Sequence, residues 1–174
     1  MQISSFDTLS KPEWQKQHDQ SILFVKKYSG KRITTEGFRH FVELTYTDLL
    51  RSDVSFLIAT VRGDRGPALA GVSFISGHGE DACLIVVHPF YRGRHVGTSL
   101  MSSQLTKLGE ISCNVALDNI QSLQMCFNAG LTAGSLHIGP TGKPCLKLHG
   151  EIRNNYTPTT SILEEGESIC HVPS

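Results

Sequence analysis

The sequence predicts one domain of mixed α/β class. Its 174 residues are close to a single domain of ~150 residues and long enough to bury a proper core. Segments rich in β-branched and aromatic residues, bounded by glycine turns, exchange with stretches in which apolar residues recur every three or four positions. In the middle of the chain a strand, a helix and a strand, with about 25 residues between strand centres, call for a parallel crossover beside an antiparallel meander.

Ser10, Pro12 and Glu13 form a helix-start signature that predicts a short helix over 11–20. Residues 21–28 (SILFVKKY) read as a strand, broken at Ser29-Gly30. From Thr35, the positions Phe38, Phe41, Val42, Tyr46 and Leu49 give a second helix one buried face. Three β segments follow, 54–62, 68–77 and 82–87, joined by tight turns as a meander. Leu100, Met101, Leu105 and Leu108 share an arc of about 140° at 100° per residue, which marks a helix. A strand over 111–117 comes next, then a helix around 120–129 closed by Gly130 as its C-terminal cap. LTAGSLHI and KPCLKLHG pair as a hairpin around the turn at 139–143. The domain covers 1–150, and 151–174 reads as a polar, acidic tail or an extra edge element.

Lys plus Arg number 16 and Asp plus Glu 16, so no global field draws the chain to a phosphate backbone or an anionic membrane. Any polyanion site is local. The tail carries −3, which leaves about +3 on residues 1–150. Five cysteines, without a C-x-x-C spacing, read as reduced thiols in a cytoplasm-like compartment and not as a disulfide framework or zinc site. The N-terminus has no apolar run of the signal-peptide kind, and no stretch approaches the ~18 apolar residues that span a bilayer. The expectation is a soluble cytoplasmic protein without a metal, a membrane or a nucleic-acid partner.

The most informative stretch is Val87 to Thr98 (VHPFYRGRHVGT), between a strand and the start of a helix. A helix N-terminus presents unpaired N–H groups and the positive end of its dipole, so it receives anions. Arg92 and Arg94 add charge, Thr98 adds a hydroxyl, and Gly93 and Gly97 permit close backbone approach. These parts suit a pyrophosphate; the plainer reading is a charged loop that caps a helix. Neither the Rossmann nor the P-loop spacing is present here.

This turn resembles the signature of the GNAT superfamily of acyl-CoA-dependent N-acyltransferases: Arg or Gln, two residues, Gly, one residue, Gly or Ala. Here it is Arg92-Gly93-Arg94-His95-Val96-Gly97, preceded by Val87-His88-Pro89. The second GNAT signature, an Asn and a helix ending in Gly-Phe, is similar to Asn119-Ile120-Gln121-Ser122 through Gly130-Leu131. The resemblance covers roughly 54–149. Three positions depart from the pattern: His95 replaces the first Gly, Leu131 the Phe, and Cys126 the Tyr that often protonates the leaving thiolate.

The resemblance implies a GNAT-like fold with acetyl-CoA as co-substrate, and transfer of the acetyl group to a primary amine by direct attack in a ternary complex. The alternative is a non-catalytic acyl-CoA-binding or regulatory module. The pantetheine arm is expected between strands 82–87 and 111–117, on the main chain of Val86 and Val87, with an N–H facing the thioester oxygen. The pyrophosphate is expected on Arg92, Gly93, Arg94, His95, Val96, Gly97 and Thr98, with His95 already helical. Asn119 contacts the coenzyme arm or fixes the turn into its helix; Ser122 contacts it or caps that helix. His88 is the imidazole nearest the implied reaction centre, either as a catalytic group or as an exposed residue on the pyrophosphate side. Cys126 shares a helix face with Leu123 and Phe127, as a core thiol or as the S–H donor in place of Tyr. Tyr28 and Tyr46 lie in the region that lines the acceptor pocket of such proteins. The acceptor is a small-molecule or protein amine, and a homodimer is compatible with the reading.

Overall fold

The computed structural model describes residues 1–6, 10–30, 32–63 and 66–152. The acidic tail beyond Ile152 lies outside these described residues. Four strands, β1 (Gln2–Ser5), β2 (Ser55–Gly63), β3 (Gly66–Ser76) and β4 (Ala82–Val87), pair antiparallel in chain order. The expected meander supplies the last three. The short β1, paired from Gln2 with Thr60 to Ser5 with Leu57, has too few residues for a period to show.

The alternation of strand side chains divides the core. Phe56, Ile58, Val72, Phe74, Leu84 and Val86 face one way, against helices α1 (Lys11–Tyr28) and α2 (Thr35–Glu43). Leu57, Ala59 and Ala70 face the other, under Val96 and Leu100 of helix α3 (Val96–Leu108). Gln104 on α3 is fully buried, and its amide donates to the Ser73 hydroxyl (2.9 Å) and carbonyl (3.2 Å). This polar contact fixes α3 along its axis, which an apolar stripe alone does not.

The expected strand at 21–28 is instead the second half of α1, which runs 18 residues from the Ser10 cap. The Ser10 backbone N–H donates to the Glu13 carboxylate (3.2 Å), as the start signature requires. Trp14, His18, Ser21 and Val25 fall on one face at helical spacing, and all are buried. Burial of that face outweighs the β preference of Ile22, Phe24 and Val25. The second helix is shorter than expected and stops at Glu43. Beyond it the Thr45 N–H and hydroxyl both donate to the Asp48 carboxylate (2.8 and 2.6 Å), a local turn that competes with the helix and leaves Tyr46 and Leu49 outside it.

The crossover carries the chain from β4 through α3 to β5 (Glu110–Ala116), but β5 joins a second sheet. With β6 (Thr132–Ile138) and β7 (Pro144–Glu151) it forms an antiparallel sheet in the order β5-β7-β6. Among the described residues no ladder joins β4 to β5, and their splaying is complete. Side chains close one end of the seam. His78 Nδ1 lies 3.3 Å from the Glu110 carbonyl, and Cys83 packs against the buried cluster that holds Ile111 and Cys113. Helix α4 (Ile120–Asn128) packs on α3 and β5 through Leu123 and Cys126. It ends as expected at Gly130: the Gly130 N–H reaches the Phe127 carbonyl and the Leu131 N–H the Cys126 carbonyl, both at 3.0 Å.

Candidate functional site

The end of β4 is set by a bulge on β3. Ala59 pairs with Gly71 and Thr60 with Leu69, so Ala70 is extra, and its carbonyl accepts from the His88 N–H (2.9 Å). That bond fixes the alternation along β4: Val86 exchanges its main-chain bonds with Val72, while the N–H and C=O of Val87 face the seam. Of the two expected main-chain contacts, only Val87 faces the seam, and its carbonyl accepts from Arg92 Nε (3.1 Å).

After Val87 the chain makes a short 3₁₀ turn, Pro89–Tyr91, capped by His88, whose Nδ1 accepts from the Phe90 N–H (3.2 Å). The bond leaves Nε2 to carry the proton of the neutral ring. The imidazole is enclosed by aromatic rings, with centroids at 4.5 Å for Tyr28, 5.6 Å for Tyr91 and 6.3 Å for Phe24. Tyr28 thus comes to the site, whereas Tyr46 packs edge-on against Trp14 in the core.

Arg92 to His95 form the turn into α3. Gly93 (φ 71°) and His95 (φ 60°) are both left-handed, so His95 is the cap before the helix and not its first residue. The turn geometry asks for positive φ at the position where the signature has Gly, and His95 adopts it at a cost. The N–H groups of residues 93–98 have no acceptor among the described residues; the first helical bond is Ser99 N–H to the His95 carbonyl (2.9 Å). Residues 92–95 are exposed, so this run of donors opens outwards at the positive end of a 13-residue helix.

The two arginines differ. Arg92 Nε donates to the Val87 carbonyl (3.1 Å) and its terminal nitrogen to the Tyr28 carbonyl (3.0 Å), so it ties the turn to β4 and to the end of α1. Arg94 stays at the surface, its guanidinium 5.0 Å above the exposed Phe90 ring. Gly97 does not face outwards but the next helix: a Cβ there would stand 2.8 Å from Met125 Sδ.

Across the seam, Asn119 rather than Ser122 caps α4, with its Oδ1 accepting from the Ser122 N–H (3.4 Å) and from Arg32 (2.8 Å). Sequence reasoning missed Arg32, 87 residues away, because nothing local marks it. Cys126 is 1% exposed, in the buried cluster that also holds Cys113. The neighbouring Cys113 and burial push the Cys126 thiol above its ordinary range, so it stays protonated. His137, His149 and Cys145 lie on the β6–β7 hairpin, with His149 Nδ1 3.2 Å from the Ser112 hydroxyl. Among the described residues no group of side chains has metal-binding geometry, and no helix is long and apolar enough to cross a membrane.

A helix start with exposed backbone donors beside two splayed strands, behind a four-stranded meander, is the fold of the GNAT acyltransferases. Solved structures agree. The NatC complex bound to Gag peptide and CoA superposes with a TM-score of 0.62 over 88% of this chain and 100% of that chain, at 14% identity. An acetyltransferase of GNAT family from Streptococcus pneumoniae gives 0.60 over 87% and 99%, at 13% identity. The aminoglycoside acetyltransferase AAC(6')-Ib, in complex with paromomycin and acetyl-CoA, gives 0.57 over 93% and 99%, at 14% identity. No family model and no curated protein sequence matches the chain.

Proposed function

We propose that the protein is an acetyl-CoA-dependent N-acetyltransferase that passes the acetyl group directly to a primary amine, on a small molecule or a protein. The observation that carries this reading is the uninterrupted run of unpaired N–H groups from Gly93 to Thr98, at the start of α3 and beside the β4–β5 seam. They would cradle the pyrophosphate, with Arg94 as a surface counter-charge and Arg92 as the strut that holds the turn. The arm would lie between β4 and β5 against the Val87 main chain, whose N–H would stabilise the oxyanion of the tetrahedral intermediate. The amine attacks as its neutral free base, the C–N bond forms, the C–S bond breaks, and a proton goes to the departing sulfur. His88 is the proton-handling group of this proposal, because Nδ1 is held as an acceptor and Nε2 carries the proton. The reduced thiols suit a cytoplasmic compartment.

One observation favours a second reading, a non-catalytic acyl-CoA-binding module. The Cys126 thiol, at the position of the usual Tyr, turns into the core and is 1% exposed. Two measurements separate the readings. Calorimetry should detect acetyl-CoA binding, and Arg92→Glu should weaken it about tenfold, a loss of ~1.4 kcal/mol; no binding by the unmodified chain overturns both. Coenzyme thiol release with a panel of primary amines tests turnover, and binding without release leaves the module.

A further inference from the structure

The mouth of the seam is flanked by a third part of the chain. His78, just before β4, reaches Glu110 at the start of β5, so the strands are held at that end and Val87 and Ala116 stand at the other. The end of α1 covers the β4 side of this mouth: Tyr28 packs on His88 (4.5 Å between centroids), and its carbonyl accepts from Arg92 (3.0 Å). Four residues on, Arg32 stands on the β5 side, where its Nη1 donates to Asn119 Oδ1 (2.8 Å). Four residues reach at most ~14 Å, so the Arg32 guanidinium and the His88 imidazole flank one opening.

Arg32 meets only a neutral amide there. The residue is exposed, and its Nε and Nη2 have no acceptor among the described residues. Asp118, the carboxylate next to Asn119 in the chain, is taken by Lys143. The other charges beside Tyr28 are positive: Arg92 on its carbonyl and Lys27, whose Nζ lies 5.1 Å from its ring centroid. An acceptor with a second ammonium group finds no free carboxylate among these residues. A carboxylate finds the open Nε–Nη2 edge of a guanidinium, a planar fork that its two oxygens match, and the bond from Nη1 to Asn119 holds that fork in place before the acceptor arrives.

We propose that the acceptor is an amino acid, a small molecule with a primary amine and a carboxylate, and that Arg32 binds the carboxylate while the amine stands beside His88; this rests on the transferase reading above. The amine nitrogen bonds the acetyl carbon, the C–S bond breaks, a proton passes from the nitrogen to the sulfur, and the carboxylate is unchanged. Arg32 is therefore a specificity residue, which binds the acceptor equally before and during the transfer.

The test is coenzyme thiol release by the full chain with acetyl-CoA and three matched series of primary amines: amino acids of increasing chain length, their amides, and diamines of the same lengths. An amino acid should be used with a kcat/KM about tenfold or more above that of its amide. Arg32→Gln should raise the KM for that acid about tenfold at unchanged kcat, and leave the KM of the amide and of acetyl-CoA where they were. Arg32→Lys, which keeps the charge without the fork, should fall between. Amides or diamines used as well as the acids overturn the proposal and leave the transferase standing. An Arg32→Gln loss shared by acid and amide also overturns it, since that marks a structural tie, as does a rise confined to the KM of acetyl-CoA, which gives Arg32 to the coenzyme phosphates. Thiol release with no amine in any series overturns the transferase reading and this assignment with it. The comparison of acid with amide on the unmodified chain decides the matter even if a variant fails to fold.

Discussion

His95 holds a left-handed conformation that only one other described non-glycine residue, His78, shares. An L-residue there costs ~1–2 kcal/mol, of which glycine would save part, since it also gains entropy in the unfolded chain. His95→Gly should raise the urea midpoint by the equivalent of about 0.5–1 kcal/mol, and the β-branched His95→Val should lower it. Equal midpoints in all three proteins would mean that the turn is not kept. Arg92 argues the same point from its bonds. Its residue type is legible in the signature, but its partner Tyr28 is 64 residues away, so its role as a strut belongs to the tertiary fold. Arg92→Ala should cost about 1 kcal/mol in the same assay, a charged donor to two carbonyls discounted for exposure.

Between elements, the decisive contact is α3 on α4. Alanine in place of a helical glycine ordinarily gains ~0.5–1 kcal/mol. At Gly97 the added carbon would press on Met125, so Gly97→Ala should instead lose about 1 kcal/mol, and Met125→Ala should recover the loss in a double-mutant cycle. Additive effects would show that the helices do not meet there. The signature puts Gly97 in the turn; only the packing shows that its Cα faces Met125. The strand expected at 21–28 fails for a related reason. Ile-Leu-Phe-Val is a good strand by composition, yet Leu23 is exposed while Phe24 and Val25 are buried. The helical face that begins at Trp14 decides between the two.

For the molecule as a whole, stability should depend on pH through His18, which joins α1 to α2 by donating from Nε2 to the Phe41 carbonyl (2.7 Å). Burial pushes this imidazole below its ordinary value of 6.5, against the weaker pull of the Phe41 carbonyl. The unfolded chain takes up the proton near pH 6.5 and the folded one does so only at lower pH. The contribution is therefore complete above that value and is lost as pH falls through the folded pKa. Thermal melts from about pH 8 to pH 5 should show the decline, and His18→Gln, which keeps a donor but does not titrate, should flatten it. An equal slope in the variant would assign the effect to other groups.

The sequence by itself determined the meander, the helix that follows it, the hairpin, and the turn that reads as an anion site. Each rests on a period, a cap or a glycine within a dozen residues, and short-range geometry is what local composition specifies. Tertiary structure decided the length of α1, the division into two sheets, the direction of Gly97, and the partners of Arg92 and Asn119. These depend on which buried faces find each other, and burial is a property of the whole chain and not of any segment.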